Sequence, residues 1–171
     1  MKPYRYVNEK VREIARTRPT RIILGNHDWS LGLFASQIEP AKIVMPFVES
    51  GVYYSHGHEW DWLSIITGTP VDPIWWGVAF PFIFPTQFPL WLATKVWMGD
   101  EDKYHWGIRW INYFAAKAAR ARGCHSVLLG HTHFPQDTIA DGVRLVNCGD
   151  FVDSYSYAII EENRIELQRF A

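Results

Sequence analysis

This sequence of 171 residues contains few cysteines and has almost no net charge. Cys124 and Cys148 are too few for a disulfide framework, and no basic-then-apolar leader opens the chain, so we expect a cytoplasmic location. The 17 basic and 18 acidic residues leave a formal net charge of -1, which excludes nucleic-acid binding through a generally basic surface. A hydrophobic content of 48% is too high for a disordered chain. The sequence therefore predicts a single folded domain over residues 1–171.

One segment of the chain lacks charged residues and is rich in aromatic ones. Eight of the nine tryptophans lie between Trp60 and Trp110, and residues 73–93 carry no charge. That length could cross a bilayer, but four prolines interrupt it, and interior prolines break a membrane-spanning helix. We interpret residues 62–102 as an aromatic insert of helices and loops. Three roles remain open for it: an insertion packed on the domain, a cap over an apolar substrate, or a surface in peripheral contact with a membrane.

The remaining chain alternates between helical and strand patterns. Apolar residues at helical spacing predict helices over 4–18 and 103–122, and Gly123 suits a helix C-terminus. Short apolar runs predict strands at 21–25, 51–55, 126–130, 143–147, 155–160 and 164–170, with a turn at 162–163. The fold class expected from this order is α/β.

Three of the predicted strands end in polar loops. These loops read Asn26-His27-Asp28, His56-Gly57-His58 and His131-Thr132-His133. Ligand sites of α/β layers gather beyond the carboxyl ends of the strands, so we expect the loops to meet. Imidazole and amide groups with nearby carboxylates suit divalent manganese, iron or zinc, and a pair of such ions can clamp a phosphoryl group. The pattern predicts metal-assisted hydrolysis of a phosphoester.

The same residues resemble a known family. Gly25-Asn26-His27-Asp28, His56 in Ser-His-Gly-His, and Gly130-His131-Thr132-His133 are similar to the last three motifs of the calcineurin-like metallophosphoesterases, in the same order. Residues 146–152 resemble the segment that follows in the branch containing UDP-2,3-diacylglucosamine hydrolase. The resemblance implies a layered α/β/β/α sandwich. It also implies a phosphate-containing small molecule or lipid as substrate, cleaved at a phosphoester or diphosphate bond.

The resemblance further implies a role for each motif residue. Asn26, His56 and His131 would bind one divalent ion, and His133 would bind a second ion. His27 would protonate the leaving oxygen, with Asp28 as the carboxylate that orients its ring. A hydroxide activated by the metals would be the nucleophile.

Two earlier motifs of the family, Asp-x-His and Gly-Asp-x-x-Asp, should precede Gly25. The 24 residues before it contain neither aspartate nor histidine. We therefore expect an N-terminally incomplete domain with about half of the family's site. The segment 149–153 matches Gly-Asp-x-x-Asp and would suit a circular permutation, but no Asp-x-His occurs in the chain.

Functions other than that of an active enzyme also remain open for this chain. The chain could be an inactive remnant that serves as a metal-binding module or contacts a protein or membrane. A structural zinc is another alternative, although such sites usually use cysteine, and neither cysteine lies in a ligand motif. His58 is interpreted as a neighbour of the site, and His105 and His125 as structural residues.

Overall fold

The computed structural model describes residues 2–26, 35–61, 101–151, 153–161 and 164–170. Within these ranges the chain is mixed α/β. The helices are α1 (Lys2–Thr17) and α2 (Glu101–Ala121), and single 3₁₀ turns lie at Ala35–Gln37 and His58–Trp60. The strands are β1 (Arg21–Ile23), β2 (Lys42–Val44), β3 (Phe47–Glu49), β4 (Val52–Tyr54), β5 (Ser126–Leu129), β6 (Gln136–Ala140), β7 (Val143–Asn147), β8 (Ser156–Glu161) and β9 (Arg164–Arg169).

The largest sheet has five strands in the order β3-β4-β5-β7-β6. Its three central strands are parallel, with Val52 opposite Ser126 and Leu129 opposite Asn147, and both edge strands pair antiparallel. Strands β1 and β2 form a separate parallel pair, and β8 and β9 form an antiparallel pair. Because β4, β5 and β7 run in one direction, the loops that follow them leave from one edge of the sheet.

The five-stranded sheet is covered on both faces. On one face Ala115, Ala116 and Ala119 of α2, all fully buried, pack in one cluster with Val127 and Leu145. These small side chains let the helix lie close to the strands. On the other face the cluster contains Val52, Val146 and Ile165, and Ile165 belongs to β9. The order of layers is therefore helix, five-stranded sheet and β8–β9 pair.

Most elements predicted from the sequence are confirmed, with small shifts of their ends. The predicted insert ended at residue 102, but α2 begins at Glu101, so residues 101–102 belong to the helix. The predictions missed the three-residue strands β2 and β3, which are too short to show a period. They also missed β6, whose middle residues are exposed and partly polar.

Two sequence interpretations fall on other parts of the chain. Residues 62–100 of the aromatic insert and the turn at 162–163 lie outside the described residues. None of the helices in the described ranges combines the length and apolarity needed to cross a membrane.

The core that joins α2 to the sheet predicts a large cost for shortening a buried side chain. Leu145 is fully buried, so Leu145→Ala should lower the free energy of unfolding by about 2–5 kcal/mol through lost burial and the cavity left behind. The side chain of Ile139 on β6 is 69% exposed, so Ile139→Ala should change the free energy of unfolding by less than about 0.5 kcal/mol. Urea unfolding of both variants measures this, and equal losses would contradict the described core.

Candidate metal centre

Histidines from two strand ends meet at one edge of the five-stranded sheet. His56 follows β4 and His131 follows β5, and the centroids of their rings lie 5.1 Å apart. The ring of His58 lies 5.2 Å from His56 and 6.3 Å from His131. The backbone joins the same loops, because the N–H of Gly130 donates to the carbonyl of His56 at 3.1 Å. Three imidazoles from two loops therefore form one cluster.

Asn26 reaches this cluster from the two-stranded parallel sheet of β1 and β2. It lies three residues beyond β1, and its Oδ1 is 3.3 Å from Nε2 of His56. The preceding Gly25 makes room for the contact, because a Cβ added there would lie only 2.6 Å from the same Nε2. Asn26, His56 and His131, assigned to one ion by the resemblance, are thus adjacent. His27 and Asp28 lie outside the described residues.

Asp61 is a member of the cluster that the sequence analysis missed. Its Oδ2 lies 3.0 Å from Nε2 of His131, and the two side chains are only 19% and 12% exposed. Asp61 comes directly after the 3₁₀ turn His58–Trp60, and its N–H donates to the carbonyl of His58 at 3.1 Å. The only signal in the sequence was a carboxylate five residues after His56.

His133 occupies a different position from His131. Its Nδ1 lies 3.2 Å from Oδ2 of Asp150, a carboxylate that is 8% exposed, whereas the His133 side chain is 60% exposed. The other oxygen of Asp150 accepts hydrogen bonds from the backbone N–H groups of Asp153 and Ser154 at 2.7 and 3.1 Å. Asp150, which belongs to the segment 149–153 that matched a family motif by its letters, thus faces His133.

The loop that carries both histidines has an unfavourable backbone. His131 and His133 have φ values of 64° and 56°, in the left-handed region where non-glycine residues are uncommon. The fully buried Asn147 at the end of β7 supports this loop. Its amide nitrogen donates to the Gly130 carbonyl at 2.7 Å and to Thr132 Oγ1 at 3.0 Å, and its oxygen accepts from the Gly149 N–H at 2.9 Å. Asn147 therefore determines the position of the histidine loop.

Glu59 supports the neighbouring loop in the same way. Its carboxylate accepts hydrogen bonds from the Ser55 hydroxyl and from the Gly57 N–H, the latter at 2.8 Å. It also lies 3.7 Å from Nδ1 of His58. Glu59 thus fixes the shape of the turn on which His56 and His58 are mounted.

The side chains of Cys148 and His125 show no sign of a chemical role. Burial raises the pKa of the Cys148 thiol to about 11, so this thiol stays protonated at neutral pH and is a poor nucleophile. His125 has its Nδ1 2.9 Å from the hydroxyl of Ser126 at the start of β5, which agrees with a structural role.

The donor atoms of the cluster fit a borderline divalent ion. Among the described residues, no three His, Cys, Asp or Glu side chains form a metal-binding group. The fit therefore rests on a mixed set, the amide oxygen of Asn26 with the rings of His56 and His131. The 3.3 Å between Asn26 Oδ1 and His56 Nε2 is close to the roughly 3 Å that separates two ligands of one ion at bonds of about 2.1 Å.

Comparison with protein-family models and with curated protein sequences adds no relative. No protein-family model matches the chain, and no curated protein sequence matches it. The assignment to a family therefore stays a prediction that rests on the three motifs.

The close approach at Gly25 generates a test. In Gly25→Ala the new methyl group would overlap the His56 ring and displace it from Asn26, while the fold should persist because only the far end of a side chain must move. We expect at least tenfold weaker Mn²⁺ binding by calorimetry, as loss of ligand alignment commonly causes. Gly107→Ala is the control, since nothing lies within 4 Å of its added Cβ. Equal Mn²⁺ affinities in the two variants would contradict this assignment of His56.

Proposed function

We propose that this protein is a metal-dependent phosphoesterase that hydrolyses a phosphoester or diphosphate bond, with the motif order of the calcineurin-like metallophosphoesterases. The observation that carries the proposal is the meeting of Asn26, His56 and His131 at one sheet edge. The layering of helix, sheet and strand pair supports the α/β/β/α interpretation of the fold.

Each residue of the proposed site has one task. Asn26, His56 and His131 would hold one divalent ion, and His133 would take part in holding a second one, with Mn, Fe or Zn as candidates. When bound, the ions supply Lewis-acid activation of the phosphoryl group and of water. His27, oriented by Asp28, would donate a proton to the leaving oxygen, which avoids expulsion of a strongly basic alkoxide.

The proposed substrate is a phosphate-containing small molecule or lipid in the cytoplasm. A net charge of -1 provides no general attraction for polyanions, so recognition of a phosphate would be local to the candidate centre.

A surface of α2 supports an additional membrane contact. Trp106, Trp110 and Tyr113 are 44%, 38% and 50% exposed, and the centroids of the two indole rings lie 5.4 Å apart. Residues 106–122 contain four basic side chains and no acidic one. Exposed aromatic rings beside basic groups are typical of helices that lie in the headgroup region of anionic membranes. We therefore propose an anionic lipid surface as the partner of this face.

Hydrolysis is tested with the full chain, Mn²⁺ and an aryl phosphodiester or monoester that releases a coloured phenol. We expect turnover that falls at least about 100-fold in His56→Ala and His131→Ala, since each removes a proposed ligand. In His27→Ala it should fall about 100-fold through loss of the proton donor. His125→Ala should keep its rate, because His125 contacts Ser126 at a strand start.

Metal content separates this proposal from an inactive remnant. Two ions per chain by elemental analysis, together with turnover, support the enzyme. One ion without turnover would support a metal-binding remnant, and full activity in His131→Ala would refute the assigned centre.

Membrane contact is tested by sedimentation with vesicles of phosphatidylcholine, with and without phosphatidylglycerol. We expect binding to the anionic vesicles, and about tenfold weaker binding for the Trp106→Gln/Trp110→Gln double variant, equivalent to about 1.4 kcal/mol. Ile139→Gln removes an apolar side chain that is 69% exposed on β6 and should bind like the wild type. Equal binding by both variants, or none by the wild type, would refute this partner.

A further inference from the structure

We propose that Asp61 is a positioning residue that holds His131 in the Nε2–H tautomer. In this tautomer Nδ1 is unprotonated and has a free lone pair. The inference rests on the proposed function, because it specifies how His131 would meet a metal ion. The observation that carries it is the 3.0 Å contact between Asp61 Oδ2 and His131 Nε2.

The chemistry of the pair determines the tautomer. An ionised carboxylate only accepts hydrogen bonds, so the nitrogen that contacts it carries the hydrogen. A neutral imidazole has one N–H and one lone pair, and the lone pair is then on Nδ1. Because the two side chains are 19% and 12% exposed, little water is present to replace the carboxylate.

Rotation of the ring is the freedom of the His131 side chain that the Asp61 contact restricts. Its backbone is held at φ 64°, and Gly57 lies against it, since a Cβ added to Gly57 would be 3.3 Å from the Cβ of His131. The second side-chain torsion of histidine has two broad minima that exchange the two edges of the ring. A rotation between them would move Nε2 away from Asp61, so this contact selects one edge. Asp61 thus fixes both the orientation and the protonation of the ring.

His133 has the opposite arrangement in the same loop. Asp150 approaches its Nδ1, at 3.2 Å, and not its Nε2. Two histidines separated by one residue therefore face carboxylates with different ring nitrogens, Nε2 in His131 and Nδ1 in His133. Metal-binding histidines commonly have such outer carboxylates. Asp61 is the better residue to test, because Asp150 also accepts hydrogen bonds from the turn at 153–154.

The test compares the full chain with Asp61→Leu and Asp61→Asn. Imidazole ¹⁵N spectra of the metal-free proteins, recorded where histidines are neutral and assigned with a His131→Gln variant, report the tautomer directly. We expect the Nε2–H form alone in the wild type and in Asp61→Asn, whose amide oxygen can accept the same hydrogen bond, and a mixture of tautomers in Asp61→Leu. Mn²⁺ affinity should fall about 10- to 100-fold in Asp61→Leu and less in Asp61→Asn.

The control variant is Asp141→Asn. Asp141 pairs with Arg120 at 3.1 Å, and asparagine tolerates its left-handed backbone, so this change should leave His131 and the Mn²⁺ affinity unaltered. An Nδ1–H tautomer in the wild type would overturn the inference, as would an unchanged tautomer in Asp61→Leu. If Asp61→Leu does not fold, Asp61→Ala takes its place, and an unchanged tautomer in that variant overturns the inference. A wild type that neither binds Mn²⁺ nor hydrolyses phosphoesters would instead refute the proposed function, and the tautomers would still be measurable.

Discussion

The buried amide of Asn147 is the interaction on which the candidate centre depends. A primary amide is costly to bury unless its polar atoms are bonded, and here its nitrogen bonds Gly130 and Thr132 while its oxygen bonds Gly149. The loop it holds contains two left-handed histidines, each unfavourable by about 1 kcal/mol or more. Such a loop keeps its shape only where surrounding groups hold it. Asn147 provides that support from the next strand.

The register of the sheet makes this support available. Strands β5 and β7 are parallel neighbours, and Leu129 lies opposite Asn147, so the amide stands beside the first residues of the histidine loop. Strand β4 pairs with the other side of β5 and brings His56 to the same edge. The pairing that buries Val127 and Leu145 under α2 therefore also positions the polar residues. The geometry of the candidate centre therefore depends on the strand order. Substitutions in the core should shift the positions of its residues.

This dependence explains which features the sequence could predict. The meeting of His56 and His131 followed from apolar strands that end in polar loops, because parallel neighbours end at one edge. Strand β6 gave no such signal, since its edge position leaves Thr138 and Ile139 exposed and needs no apolar pattern. The contact of Asp61 with His131 joins residues 70 positions apart. It depends on a 3₁₀ turn whose shape no local pattern specified.

The carboxylates around the candidate centre have supporting tasks. Asp61 contacts the ring of His131, Asp150 contacts His133 and the following turn, and Glu59 bonds the backbone of its own loop. A carboxylate that bridged two ions would have to give up such contacts, and the histidine or loop it holds would lose its orientation. Within the described residues, the polar groups are therefore arranged around the proposed site of one ion at Asn26, His56 and His131. A second ion would need carboxylate ligands from outside these residues, because those inside already hold the first set in place.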